Sequence, residues 1–161
     1  MDATNTPKIN LINNLRQDFS QFQFELSDNF HWSNSKNTVF YPEIGSLDNN
    51  FYNLSLLHEL AHAILVHSNY NLDIDLLKIE TEAWDLASKV LAPKYSIDIE
   101  DNFIQDNLDT YRDWMHHRSL CPNCNINGFQ QSDLRYKCPS CGKIWQPNGA
   151  KFTMLRLYNK K

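Results

Sequence analysis

Several things are missing from this 161-residue sequence. No apolar run approaches the ~20 residues of a membrane-spanning helix. The longest, around Leu56 to Val66, is interrupted by His58, Glu59 and His62. The first residues, "MDATNTPKINL", lack the basic start and apolar core of a secretory signal. There is no internal repeat and no low-complexity tract. No cysteine lies outside Cys121–Cys141, and no acidic residue follows Asp133. These absences argue against a membrane protein and lead us to expect a cytoplasmic one, in a setting where disulfides are rare.

What is present fits a folded chain of one ordinary domain plus a small appendage. Hydrophobic residues make up 42% and aromatics 12%, too many for a disordered chain. The net charge of −4 hides a division along the sequence. Up to Asp133 there are 8 basic residues against 19 acidic ones, a balance of −11; from Leu134 onward there are 7 basic residues and no acid. A basic tail on an acidic body either binds an anionic partner such as nucleic acid or folds back on the body.

Ile9, Ile12, Leu15 and Phe19 have helical spacing, and "FQFEL" (Phe22–Leu26) alternates like a half-buried strand. "HWSNSKNTVFY" reads as a strand, a polar turn over Ser33–Asn37 and a return strand, Thr38–Tyr41. Asn50 or Asn53 is positioned to cap a helix running to about His67, apolar all round and hence buried. A second helix is expected from Ile74 to Leu91, stopping before Pro93, and a third over Glu100–His117. Composition changes near Ser119. The fold class expected is therefore α+β, a small antiparallel sheet laid over helices, with domains at 1–118 and 119–161.

The stretch "LLHELAHAILVH" carries the first chemistry. Residues four apart share a helix face, so His58 and His62 can hold one ion. Glu59 can then reach a water at that ion without being a ligand, the logic of the H-E-x-x-H zinc hydrolases. Two histidines and a glutamate on a buried helix by accident is the bland alternative, but unpaired polar groups are costly there. His67 is five residues past His62 and would be turned about 140° away on a continuous helix. A better third ligand is Glu80, in the segment "LKIETEAWDLASKVL", among Leu76, Leu77, Ile79, Ala83, Leu86 and Ala87, where small Ala83 and Ala87 allow close helix packing.

"HELAHAILVH" followed by "IETEAWDLASKVLAP" resembles the gluzincin-type metallopeptidases of the ImmA/IrrE family, over about Val39–Pro93. The resemblance implies a zincin-like core, zinc ligands His58, His62 and Glu80, and Glu59 as general base. Glu82 is the fallback ligand, and Trp84 replaces a commonly polar residue. The substrate implied is an intracellular protein or peptide, which Thr38–Tyr41 would hold as an added strand if it is a sheet edge. Candidate donors to the developing oxyanion are His67, Tyr70, Tyr111, His116 and His117.

Cys121, Cys124, Cys138 and Cys141 form two C-x-x-C pairs at close to zinc-ribbon spacing. A second, structural zinc is expected there, with disulfides or rubredoxin-like iron as alternatives. Arg135, Lys137 and Lys143, interleaved with Phe129, Tyr136 and Trp145, suit phosphate contact and base stacking, unless the aromatics merely fill the ribbon. The function expected is thus a two-zinc metallopeptidase whose ribbon recruits substrate or nucleic acid. The alternatives are a SprT-like DNA-associated protease and a non-catalytic zinc-stabilised binding module.

Overall fold

The computed structural model describes residues 10–45, 47–149 and 157–160. The expectations resting on Ile9 and on the tail residues Lys151, Arg156 and Lys161 lie outside them. The chain divides into two compact units, Met1–Ser68 with Glu82–Glu100, and Asn69–Thr81 with Asp101–Lys161. Composition shifts near Ser119, whereas compactness groups the cysteine segment with a stretch of chain on either side of Glu82–Glu100.

The first unit begins with helix α1 (Asn10–Asp18), which buries Leu11 and Leu15. Strands β1 (Gln23–Leu26), β2 (His31–Ser33) and β3 (Thr38–Tyr41) form a sheet in the order β1-β3-β2. β2 and β3 are the expected antiparallel hairpin. β1, however, runs parallel to β3, pairing Phe24 with Val39, so the sheet is mixed rather than antiparallel. β3 is consequently the central strand and is buried at all four positions. It is no edge for an added strand; β1 and β2 are the edges.

Helix α2 (Asn49–Ile64) starts at Asp48, whose carboxylate accepts the Phe51 N–H at 3.0 Å. This cap takes the place of the asparagines expected in that role, since an aspartate in extended backbone satisfies the same orphan donor. Leu54, Leu56, Leu57, Leu60, Ala61 and Ala63 are all essentially inaccessible, which makes α2 the core helix. It ends at Ile64, three residues short of His67. Helix α3 (Asp73–Leu86), whose residues up to Thr81 belong to the second unit, passes into a π-turn (Ala87–Leu91) and a short helix α4 (Ala92–Lys94). Pro93 therefore does not stop the helix at Leu91. It sits in the first turn of α4, where its missing N–H costs nothing, and the wider π-turn just ahead absorbs the register change. Ala83 and Ala87 are fully buried, as their small size suggested. The unit is tied end to end by Asp18, which accepts from Tyr95 at 2.7 Å and pairs with Lys94 at 2.9 Å.

In the second unit, α5 (Asp101–Ser119) buries Leu108, Trp114, Arg118 and Ser119. Strands β4 (Phe129–Gln130), β5 (Tyr136–Lys137), β6 (Ile144–Pro147) and β7 (Leu157–Lys160) follow as an antiparallel sheet in sequence order. The basic tail thus returns to this sheet as β7. A buried Asp73 gathers the unit: its carboxylate accepts from Arg118 Nε at 2.6 Å, from the Tyr136 hydroxyl at 2.6 Å and from Gln130 at 3.3 Å. Arg118 also donates to the Asn148 carbonyl and lies over the Trp114 ring at 4.5 Å. Burial of the Tyr136 phenol, then its bond to Asp73, pushes its pKa well above the ordinary value of 10. No helix among the described residues is long and apolar enough to cross a membrane.

Candidate metal centres

On α2, His58 and His62 stand one turn apart with both rings buried. Their Nε2 atoms converge to 3.0 Å. Glu80 of α3 is also buried, and one ligand atom from each of the three residues lies within 4.8 Å of the others. Two nitrogens bound to a tetrahedral ion at about 2.05 Å stand about 3.4 Å apart. The histidine pair would therefore open by only a few tenths of an ångström to hold one. Trp84 stacks on the His58 ring, centroids 4.2 Å apart and planes 22° from parallel. Trp84 thus packs against one candidate ligand. Glu59, next to His58 in the chain, is half-buried.

His67 occupies a place that helical periodicity did not foresee. After the helix ends, Val66 takes the left-handed conformation, φ 53°. Val66 N–H bonds to Ala63 O at 3.1 Å and His67 N–H to His62 O at 3.0 Å, the paired bonds of a Schellman turn. The reversal swings His67 back, placing its Nδ1 2.9 Å from His62 Nδ1. Its Nε2 lies 3.3 Å from Glu82 Oε2. Glu82, the fallback ligand, is exposed and lies against His67, while Glu80 is the carboxylate that joins the two histidines. No glycine marks the stop, so the sequence carries no signal for this turn.

The other candidate oxyanion donors belong to the second unit. His116 Nδ1 sits 3.2 Å from the Asn127 amide, and His117 Nδ1 2.7 Å from the Asp113 carbonyl. Tyr111 is half-buried in α5. The pKa of Tyr70 is raised by burial and then by Asp73.

The four cysteines are unbridged and gather into a second cluster. Cys121–Cys141, Cys124–Cys138 and Cys124–Cys141 sulfurs are separated by 3.6, 3.5 and 3.7 Å. A disulfide would need about 2.05 Å, whereas a tetrahedral ion with bonds of about 2.3 Å to sulfur sets its ligands about 3.8 Å apart. The cluster matches the second geometry. Each C-x-x-C turn is built alike. Asn125 N–H bonds to Cys121 O and Gly142 N–H to Cys138 O, while Cys121 N–H reaches Ile126 O and Cys138 N–H reaches Lys143 O. The residue after each second cysteine is left-handed, Asn125 at φ 59° and Gly142 at φ 73°. The Cys141 thiol is drawn down to about 6, first by the Lys143 backbone. Despite the Ile126 backbone bond that lowers it, the Cys124 thiol is pushed up to about 12 by its bonds to the other cysteines and by burial.

Tyr136 and Trp145 stack within the core of this segment, together with Cys121 and Cys138. They fill the ribbon and offer no face to a base. Phe129 remains exposed, opposite the exposed Lys137 across β4 and β5. Arg135 is engaged by Asp133, with Nε at 2.6 Å, and Lys143 is half-buried. Compared with known proteins, the chain matches no family model, no curated protein and no solved structure.

Proposed function

We propose that the chain is a zinc-dependent metallopeptidase with a zincin-like core, of the gluzincin type that the ImmA/IrrE resemblance suggests. The observation that carries the reading is the convergence of His58, His62 and Glu80, with Glu59 next to the first histidine. Two imidazoles and one carboxylate are a catalytic donor set, which leaves a coordination position open, while four thiolates close a structural one. Zinc held by the first set would lower the pKa of a water and polarise a peptide carbonyl. Glu59 accepts the proton of the attacking water and delivers it to the leaving amine. Trp84 keeps the His58 ring from turning. The cysteine set holds a second zinc that organises the ribbon, and exposed Lys137 and Phe129 make the ribbon the part that recruits substrate or nucleic acid.

The test is Glu59→Gln, which keeps the ligands and removes the base. Elemental analysis should give two zincs per chain in both forms. Incubated with a proteome-derived peptide mixture and read by mass spectrometry of new termini, wild type should cleave and Glu59→Gln should be slower by roughly 10²–10⁴-fold. New termini generated equally by both forms, or by neither, sink the peptidase reading.

A further inference from the structure

We propose that His67 and Glu82 are positioning residues that hold His62 in its metal-ligating tautomer. The inference rests on the reading that His58, His62 and Glu80 hold an ion, and it concerns what stands behind that site. The Nε2 of His62 faces the Nε2 of His58 at 3.0 Å, so Nε2 is the ligating atom and Nδ1 lies on the far side of the ring. An imidazole that ligates through Nε2 carries its proton on Nδ1 and needs an acceptor there. His67 Nδ1, at 2.9 Å, is that acceptor. To accept, His67 must bear its own proton on Nε2, which lies 3.3 Å from the Glu82 carboxylate. A carboxylate only accepts. Glu82 thus selects the Nε2–H form of His67, which selects the Nδ1–H form of His62 and frees its Nε2 lone pair for the metal. Reversing the bonds would put a proton on the ligating nitrogen.

The arrangement is held independently of the side chains in it. Trp32 Nε1 of β2 donates to the His67 carbonyl at 3.0 Å, and the His67 N–H is fixed to His62 O. Val66, β-branched and left-handed, adopts a strained conformation to bring His67 round. Strain of this kind persists where surrounding structure enforces it, and it clusters at functional sites. On an uninterrupted helix His67 would face away from His62, so the strained turn is what makes the hydrogen bond.

The experiment uses the full chain, with the cysteine cluster as internal control. Zinc affinity is measured by chelator competition for wild type, His67→Ala, Glu82→Ala and the double variant. Orienting partners of ligand histidines contribute about 10–100-fold in affinity, so His67→Ala should weaken the His58–His62–Glu80 site by that much and leave the cysteine site unchanged. Because Glu82 acts through His67, its removal should cost several-fold in wild type and nothing further in His67→Ala. His67→Gln, whose amide oxygen can accept from His62, should recover part of the loss. Long-range ¹H–¹⁵N spectra of the zinc-loaded chain should show His67 protonated on Nε2 and His62 on Nδ1. Two zincs per chain with affinity unchanged in His67→Ala, or His67 protonated on Nδ1, overturns the proposal alone. A wild-type chain that holds only the cysteine-bound ion overturns it together with the peptidase reading. Should His67→Ala fail to fold, Glu82→Ala, on an exposed side chain, carries the affinity test.

Discussion

The cysteine cluster takes its ligands from two turns of near-identical hydrogen bonding, within twenty-one residues of chain. The histidine–glutamate group takes two ligands from one helix and the third from the next. Their surroundings differ as much as their ligands. Around the cysteines the buried cluster is Cys121, Cys138, Tyr136 and Trp145, so the ligands are themselves half of the core. Around His58 and His62 the helix is packed by Leu54, Leu56, Leu57, Leu60, Ala61 and Ala63 without help from any ion. A site whose ligands are its core should fold only with its metal, whereas a site set into a finished core should tolerate losing it.

Cys138→Ser tests that contrast most severely. Structural zinc sites of this class contribute about 10–16 kcal/mol of apparent binding energy that is also folding energy. Amide resonances of residues 121–147 should therefore collapse toward random-coil shifts, with the loss of one zinc. Glu80→Ala should lose the other zinc while its spectrum stays dispersed throughout. A dispersed ribbon in Cys138→Ser would show that Tyr136 and Trp145 suffice as a core; a collapsed first unit in Glu80→Ala would show that its metal is structural.

The same contrast governs what could be read in advance. Local chemistry was legible: the C-x-x-C pairs, the histidines four apart and the β2–β3 hairpin rest on short-range spacing, while the choice of Glu80 over Glu82 came with the family resemblance. What depended on distant partners was not. Parallel pairing of β1 with β3 leaves no mark in either strand's alternation, and it turned the expected edge strand into the central one. The Asp73–Arg118–Tyr136 network joins residues 45 and 63 positions apart. An aspartate in a helix's first turn and an arginine in another's last look, taken singly, like ordinary dipole partners. A continuous helix would turn His67 away from His62; the helix instead ends at Ile64, and valine is a poor announcement of a helix end.

Tyr136→Phe probes the core beside the cysteines. Removing the hydroxyl takes one charged hydrogen bond from buried Asp73, worth about 1.5–3 kcal/mol. The pH dependence has a definite sign. The folded phenol holds its proton above the ordinary value of 10, so this stabilisation is complete below about pH 10 and is lost as pH rises beyond it. Urea midpoints at pH 8 and pH 10.5 should fall in wild type and fall less in Tyr136→Phe. Equal falls would mean that Tyr136 ionises as freely folded as unfolded.

The smallest effect separates the two regions by their turns. Where the cysteine turns need left-handed backbone, the chain supplies Asn125 and Gly142, residue types that adopt it at little cost. At the end of α2 it supplies Val66, mostly solvent-exposed, which gains no burial to offset the strain. Val66→Gly should therefore stabilise the first unit by about 1 kcal/mol, a rise of a few degrees in melting temperature. Val66→Ala should do less, because alanine keeps the Cβ that causes the clash. The glycine variant should also loosen His67, since glycine permits other conformations at the turn. A gain in stability accompanied by weaker zinc binding at His58, His62 and Glu80 would show that the strain is retained for the site it positions. A gain with unchanged binding would leave Trp32 and Glu82 as sufficient restraints on His67.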